Sequence, residues 1–209
     1  NEVDAGRDEL GGGTWLGIND AGVVAGVLNR RNTLGPQEGK RSRGELVLDA
    51  PDFADAADAV AMLRELDAHA FRPFNMVIAD NRDAFWVRNL GTQVEAEALP
   101  PGLSMITASD RNDRNSKRIR WFLPRWKDAK APDPDTGDWG AWQGLLCDRS
   151  HDPAGTVFDA MSIVSNTGFG TVSSSLIALP APQFATRRPI WKFVGGRPDK
   201  SSTWQDVEV

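Results

Sequence analysis

The chain has 209 residues, of which 40% are hydrophobic and 25% are charged, and its formal net charge is -5. This composition suits a globular domain with a sizeable core, and no apolar run approaches the roughly 20 residues that a membrane span requires. The negative charge argues against a nucleic-acid-binding surface, which depends on clustered Lys and Arg.

The N-terminal region predicts a β-hairpin followed by a helix. Residues 14–19 and 23–28 are short β-favouring runs, and the intervening residues 20–22 have turn chemistry. Ser42 and Glu45 have the spacing of a capping box, in which two side chains satisfy the free amides at a helix start. We therefore expect a helix directly after these residues.

The next stretch predicts a helix packed on a sheet. Residues 53–68 carry apolar side chains at helical spacing, which indicates an amphipathic helix. Residues 74–79 and 84–89 are β-rich runs joined by the polar turn 80–83. After a Pro-Pro-Gly break, residues 103–107 form another apolar run, which we expect to be a strand.

The C-terminal half predicts two further helices and a return to strands. Residues 116–127 indicate a helix that Pro124 should bend or end, and residues 139–147 a shorter one. The expected strands are residues 160–164, 171–179 and 189–194. Strands that flank a central helical region favour mixed α and β layers over an alternating Rossmann order.

Several kinds of chemistry find little support. The single cysteine, Cys147, rules out an intramolecular disulfide, and His69 and His151 are too few for a His-based zinc site, so we predict no metal site. No serine lies in a nucleophile motif beside a histidine. We expect Cys147 to be a half-buried structural residue and both histidines to lie on the surface.

Two features have alternative interpretations. The basic clusters 40–43 and 111–125 are expected to be solvated surface, and binding of a substrate carboxylate or phosphate is the alternative. The run Gly11-Gly12-Gly13 precedes a strand, so it favours a flexible turn over a phosphate loop. Close approach of its backbone to a ligand is the alternative.

A family resemblance emerges from segments spread along the chain. Residues 17–29 (GINDAGVVAGVLN) are similar to the hairpin that ends in an oxyanion-hole asparagine in choloylglycine hydrolases and penicillin V acylases, which are N-terminal-nucleophile hydrolases. The flanking segments resemble the NRDE family, whose eukaryotic member is transport and Golgi organisation protein two. These segments are residues 5–8, 12–17, 42–47, 72–75, 79–81, 168–176 and 196–198.

The resemblance implies a single domain over residues 1–209, with the α+β architecture of a four-layer αββα N-terminal-nucleophile sandwich. It also implies an amide (C–N) hydrolase-like site that uses an N-terminal cysteine. Family members begin with Met-Cys followed by an Asn-Arg-Asp-Glu motif, and neither is found here, so we expect part of the domain to precede Asn1. Residues 81–83 imitate that motif, but we interpret them as turn residues.

The resemblance also assigns candidate site residues. Asn29 would stabilise an oxyanion, with a strand-end structural role as the alternative. Gly13, Thr14 and Trp15 are candidate binding residues. The place of a second asparagine in bile-salt-type enzymes is held by Ala108, so its neighbours, Thr107 and Ser109, are candidate binding residues too. Arg118 loosely matches a supporting arginine.

Two alternatives to hydrolysis remain. The first alternative is a non-catalytic carrier, because family members are associated with haem trafficking and with lipid or acyl-coenzyme A handling. Haem would then be a bound ligand, and no resident cofactor is expected. The second alternative is a purely structural interaction domain, which predicts no well-formed pocket beside Asn29. For hydrolysis and for carriage the expected partner is a small molecule. The expected location is cytoplasmic, and the oligomeric state stays open.

Overall fold

The structure, a computed structural model, describes residues 3–7, 13–200 and 203–209. It divides into two compact units. The first contains the residues up to Arg111 together with Leu179–Arg188 and Val209, and the second contains Asn112–Ala178 and Pro189–Glu208. Both contain antiparallel sheets and short helices, so the protein is α+β. The expectation of a single domain stays a prediction.

The first unit contains a six-stranded antiparallel sheet whose strands follow one another in chain order. The strands are β1 (Val3–Arg7), β2 (Thr14–Asn19), β3 (Val24–Asn29), β4 (Phe74–Ala79), β5 (Ala84–Asn89) and β6 (Val94–Ala98). The predicted hairpin is confirmed as β2 and β3, and Gly22 supplies the positive φ of 83° in its turn. The strand pair at residues 74–79 and 84–89 is also confirmed.

The turn between β4 and β5 is organised by one carboxylate. Asp80 Oδ1 accepts hydrogen bonds from the backbone amides of Arg82 (2.7 Å) and Asp83 (2.8 Å). Its Oδ2 accepts one from the Ala56 amide at 2.9 Å. The segment that imitates the family motif therefore forms a turn, as its composition predicts.

Two helices cover one face of this sheet. They are α1 (Gly44–Asp49) and α2 (Ala56–Arg64), with short 3-10 turns at Ala50–Asp52 and Ala68–Ala70. Their apolar residues join those of β3, β4 and β5 in one buried cluster, in which Leu46, Leu63, Phe74 and Met76 are fully buried. The prediction of an amphipathic helix on a sheet is thus confirmed.

The ends of both helices differ from the predictions. Helix α2 is shorter than residues 53–68 because Phe53 is extended and Asp55 caps the helix by accepting a hydrogen bond from the Asp58 amide. At α1, only half of the capping box forms. Glu45 Oε1 accepts from the Ser42 amide at 3.3 Å, but Ser42 Oγ accepts from Gly44.

The prediction of a strand at residues 103–107 is wrong. This segment has no regular structure, and the carbonyl oxygen of Thr107 is engaged by the side chain of Asn75 instead of by a ladder. The last strand of the sheet is β6, which pairs with β5. Its sequence, Val-Glu-Ala-Glu-Ala, has little β-propensity and gave no strand signal.

The second unit contains α3 (Lys117–Asp128), α4 (Gly140–Leu146) and a three-stranded antiparallel sheet of β7 (Ser173–Ala178), β8 (Ile190–Gly195) and β9 (Gln205–Val207). Both predicted helices are confirmed, and α3 does not end at Pro124. The strand predicted at residues 160–164 is wrong. The Ser162 amide donates to the Asp148 carbonyl, so it is not available to a ladder.

None of the helices in the described ranges combines the length and apolar character that a membrane crossing requires.

Candidate functional site

A pocket of about 500 Å³ lies at one end of the six-stranded sheet, a volume typical of small-molecule sites. Its described walls are the start of β2 with Gly13, the end of β3, the loop residues 34–37, residues 40–44 at the start of α1, and Arg72 just before β4. Because β2, β3 and β4 are antiparallel neighbours, these segments meet at the same end of the sheet.

Two glycines allow α1 to begin directly against β2. A Cβ added to Gly13 would lie 2.6 Å from the carbonyl carbon of Gly44, and a Cβ added to Gly44 would lie 2.9 Å from the Thr14 amide nitrogen. Backbone atoms cannot move aside as side chains can, so this wall of the pocket requires glycine at both positions. Gly11 and Gly12, which were grouped with Gly13 in the sequence, lie outside the described residues.

Four of the predicted site residues line this one pocket: Gly13, Thr14, Trp15 and Asn29. Thr14 is buried and its Oγ1 donates to the Leu16 carbonyl at 3.0 Å. Trp15 is 46% exposed, which is high for so large an apolar side chain. The interaction-domain hypothesis predicted no pocket beside Asn29 and is wrong on that point.

Asn29 ends β3, where its pairing with Phe74 of β4 holds its backbone. Its Oδ1 is buried and has no hydrogen-bond partner within the part of the chain that the structure describes. A buried acceptor without a donor costs about 1–3 kcal/mol. Oδ1 has almost no accessible surface, so a ligand in the pocket does not reach it in this rotamer. Asn29 therefore lines the pocket without presenting this oxygen to it.

Arg43 is buried beneath the pocket, with 7% of its surface exposed. Its Nη1 donates to the carbonyl oxygens of Thr33 (2.8 Å) and Pro73 (3.2 Å) and lies 3.1 Å from Thr33 Oγ1. Burial, and secondarily the charge of Arg72, lower the pKa of the Arg43 guanidinium. The guanidinium stays charged because its ordinary pKa lies far above neutral pH.

Arg72 holds the loop that forms the outer wall. Its Nη1 donates to the carbonyl oxygens of Leu34 (2.8 Å) and Gly35 (3.0 Å), and its Nη2 donates to that of Asn32 (3.1 Å). The hydrogen bonds described for Arg43 and Arg72 go to carbonyl and hydroxyl oxygens, and no carboxylate in the described residues pairs with either. We call these two residues the pocket arginines.

Two more cations complete the basic lining. The side chain of Lys40 donates to the His69 carbonyl oxygen. Arg41 pairs with Glu45, with Nη2 2.8 Å from Oε2, and its guanidinium lies 5.0 Å from the centre of the Phe71 ring. No Asp or Glu is among the described residues that line the pocket. Lys40 and the three arginines thus line the pocket, and among the described residues Glu45 forms an ion pair with one of them, Arg41.

Thr107 and Ser109 are not among the described lining residues. Both are buried, and their carbonyl oxygens accept hydrogen bonds from Asn75 Nδ2 at 2.7 and 2.9 Å. Ser109 Oγ also accepts a bond from Arg31 Nε at 3.0 Å. These contacts connect residues 107–109 to the sheet and give both residues structural partners. Their assignment as binding residues stays a prediction.

Asn75 is the centre of a second polar cluster. It is fully buried, and its Oδ1 accepts hydrogen bonds from Arg30 Nη1 (2.7 Å) and Trp86 Nε1 (3.2 Å). Arg30 also pairs with Asp110 at 2.7 Å, and Arg88 pairs with Asp110 at 3.5 Å. The Asn75 oxygen accepts two hydrogen bonds and its amide nitrogen donates two. This side chain therefore has no free donor or acceptor for a ligand.

Arg118 lies on α3, in the second unit. It donates to the Phe158 carbonyl at 2.6 Å. Burial lowers the pKa of its guanidinium, and the nearby Asp159 acts in the opposite direction. Its assignment as a supporting arginine stays a prediction.

Cys147, also in the second unit, is half-buried at the end of α4, and its Sγ donates to the Pro198 carbonyl at 3.1 Å. Burial, and secondarily Asp199, raise the pKa of its thiol. A raised pKa leaves less thiolate at neutral pH, which suits the expected structural role better than nucleophilic catalysis.

The sequence reasoning missed the two pocket arginines as site residues. Arg43 belongs to the basic cluster 40–43 and Arg72 to a family segment, but the sequence patterns assign neither to the site. The available signal is the cluster itself, for which binding of an anionic substrate group is the alternative interpretation. Arg43 is set apart by its burial, which a pattern of charges along the chain does not reveal.

Comparison with known proteins agrees with the resemblance seen in the sequence. A bovine protein, "Transport and Golgi organization protein 2 homolog" from Bos taurus, is 36% identical over 85 residues, which cover 38% of this chain and 30% of the relative. The aligned part thus spans about a third of that protein's length. Residues 1–129, which include the whole pocket, match the family described as Transport and Golgi organisation 2. The chain therefore belongs to the Transport and Golgi organisation 2 family.

Proposed function

We propose that the pocket at the end of the β2–β3 hairpin is an amide-hydrolase-like site that acts on a non-peptide C–N bond. The observation that carries this proposal is that Gly13, Thr14, Trp15 and Asn29 line one pocket. They are four of the seven residues predicted for the site, and Asn29 is the one to which the resemblance gives an oxyanion role. The fold of the first unit is consistent with half of an αββα sandwich, since α1 and α2 cover one face of its sheet.

The topology of β1 supports a nucleophile at the same end of the sheet. Among the described strands β1 is an edge strand, and it pairs with β2 so that Arg7 lies opposite Thr14 and Val3 opposite Asn19. A strand preceding β1 and antiparallel to it would begin at the level of Arg7, at the pocket end. A cysteine at the start of such a strand would lie at the pocket end of the sheet.

In the proposed reaction the N-terminal cysteine is the nucleophile and Asn29 stabilises the oxyanion. The cysteine thiolate attacks the amide carbonyl carbon, a C–S bond forms, and the carbonyl oxygen becomes an oxyanion that Asn29 Nδ2 stabilises. The C–N bond then breaks, and the amine leaves with the proton that the α-amino group took from the thiol. Water hydrolyses the thioester to a carboxylic acid and restores the thiol. Losing one oxyanion donor typically costs about 10²- to 10³-fold in rate.

The test uses the protein with an N-terminal cysteine exposed upstream of Asn1. We expect turnover of acyl amides, and an acyl-enzyme visible by intact mass that Cys→Ala abolishes. Asn29→Ala should reduce kcat by about 10²-fold with a smaller change in KM. Thr203→Ala, a change in the second unit, serves as the control. Absence of both turnover and a cysteine-dependent acyl-enzyme would contradict the proposal.

Non-catalytic carriage of an anionic amphiphile, such as a lipid or an acyl-coenzyme A, is the second candidate. It is favoured by the basic lining together with the exposed side chains of Trp15 and Leu34, which are 46% and 64% exposed. Haem fits this pocket less well, since no His, Met or Cys is among the described lining residues. Saturable binding without turnover by the cysteine-bearing protein would favour carriage.

A further inference from the structure

Strand β7 is an edge of the sheet in the second unit. Its six residues, Ser173–Ala178, pair with β8 on one side only. None of the six is charged, and none is Pro or Gly. Among the described residues, no backbone hydrogen bond outside the β7–β8 ladder involves this strand. The outward N–H and C=O groups of an edge strand are a template for pairing with a further strand, so β7 is open to such pairing.

Strands β6 and β9, which are also sheet edges, differ from β7 in this respect. Glu95 and Glu97 lie on β6, and Asp206 lies on β9, which has only three residues. Charged side chains and short strands are features by which natural proteins prevent edges from pairing. Like charges that face each other across two strands are also destabilising. Strand β7 has neither form of protection, which indicates that its edge is used.

An exposed apolar side chain lies at the start of the same strand. Val172 directly precedes β7 and is 76% exposed, the largest exposed fraction among the large apolar side chains of the described residues. Phe169, three residues earlier, is also exposed. A strand that continued the sheet beyond β7 would run beside Val172 and shield it from water, which is favourable for an apolar group. The edge is thus both uncharged and apolar at one end.

The distribution of charge between the units indicates which partner the edge accepts. The second unit contains eleven Lys and Arg residues and eleven Asp and Glu residues, whereas the whole chain contains 24 and 29. The net charge of -5 therefore resides entirely in the first unit. Two copies that associate through their second units bring no net charge together, and a low net charge favours association. A second copy of this chain is thus a partner that the charge of this unit does not repel.

We propose that the chain forms a two-fold dimer in which β7 of one copy pairs antiparallel with β7 of the other. The two three-stranded sheets then become one sheet of six strands. An antiparallel pair of identical strands suits two-fold symmetry, because the same surface serves on both copies. Six residues span about 20 Å at about 3.4 Å each, so the interface is small. We therefore expect a weak dimer with a Kd of about 10 μM. The dimer does not depend on the proposed hydrolysis.

The first test is analytical ultracentrifugation of the 209-residue protein from about 1 to 200 μM, a range that brackets the expected Kd. The mass should rise from 22.8 kDa towards twice that value. Ser173→Lys adds a charge at an exposed position of β7 and should raise the Kd at least about tenfold. Gln205→Lys makes the matched change at an exposed position of β9, the other edge of this sheet, and should leave the Kd unchanged. A monomer at every concentration, or equal effects of the two variants, would overturn the proposal.

The second test locates the interface by amide hydrogen exchange at about 1 and about 200 μM. The outward amides of β7 should exchange about fivefold more slowly at the higher concentration, because pairing with a second copy protects them. The amides of β9 are the internal control, since they belong to the same sheet and should exchange equally fast at both concentrations. Protection that rises elsewhere but not on β7 would show that the copies meet at another surface and would overturn the proposal.

Discussion

Two arginine clusters in the first unit are neutralised in different ways. Arg30 and Arg88 pair with carboxylates, through Asp110 and, for Arg88, also through Glu95 at 2.6 Å. Arg43 and Arg72 bond to neutral oxygens of residues 32–36 and Pro73. Both clusters are thus satisfied in hydrogen bonding, but among the described residues only the first has carboxylates that balance its charge.

Burying the charge of Arg43 at the pocket without a paired carboxylate among the described residues costs free energy. Burial of a charged group is unfavourable unless hydrogen bonds or an opposite charge compensate it. The lowered pKa of Arg43 shows that burial and the like charge of Arg72 disfavour its charged form. An anionic ligand would supply the missing charge, which explains why such an arrangement is found at a pocket.

The largest expected effect comes from removing a pocket arginine. Arg43→Met should lower the free energy of unfolding by about 3 kcal/mol, because it leaves the Thr33 carbonyl without its buried donor and removes one of the two donors to the Pro73 carbonyl. Urea denaturation followed by circular dichroism would measure it. Arg64→Met is the matched control and should cost less than about 1 kcal/mol. Equal losses would mean that the carbonyl bonds of Arg43 do not stabilise the loop.

The sheet could be predicted from the sequence where local patterns and tertiary pairing agree. Residues 74–79 and 84–89 are rich in β-branched and aromatic residues, and the two segments pair as antiparallel strands with Phe74, Ile78 and Val87 fully buried. Strand β6 could not be predicted, because its glutamates are stabilised by cross-strand pairing with Arg88 on β5 and not by β-propensity. Residues 103–107 were wrongly predicted as a strand, because an apolar composition indicates burial but does not establish pairing with a neighbouring strand.

The candidate site could be predicted only where a continuous motif marks it. The hairpin motif located Asn29, and the adjacent glycine-rich segment located Gly13, Thr14 and Trp15 at the same pocket. Arg72 lies more than forty residues beyond Asn29 and reaches the pocket only through the β3–β4 pairing. Contacts that depend on strand pairing of this kind leave no signal in the local sequence.

An intermediate effect on the free energy of unfolding is expected at Asp80. The pocket arginines are cations bonded to neutral carbonyl oxygens, whereas Asp80 is an anion bonded to neutral backbone N–H groups. Burial would raise the pKa of Asp80, but the amides of Ala56, Asp83 and Arg82 outweigh it and lower that pKa below its ordinary value. A folded pKa below the unfolded one gives stability that is fully present above about pH 4. It is lost as the pH falls through the folded pKa.

Asp80→Asn tests this sign. We expect a loss of about 1–2 kcal/mol at pH 7, because the Ala56 amide at the start of α2 loses its acceptor. The loss should shrink as the pH falls from about 4 through the lowered folded pKa, because the wild-type carboxylate is protonated first in the unfolded and then in the folded state. Urea denaturation of both proteins at a series of pH values would measure the difference. A gap that stays constant down to the acid limit would contradict the assigned pKa direction.

The smallest expected effect is at the carboxylate that Arg30 and Arg88 share. The Asp110 side chain is 49% exposed, and exposed pairs are worth about 0.2–1 kcal/mol and weaken with salt. Asp110→Asn should therefore cost about 0.5 kcal/mol at low ionic strength and almost nothing at about 1 M salt, as measured by thermal unfolding. Arg43→Met should keep its cost in both conditions, since its partners are buried carbonyls that mobile ions do not replace. If instead the Arg43 effect faded with salt and the Asp110 effect did not, the contrast between the two clusters would be the reverse of the one inferred from their partners.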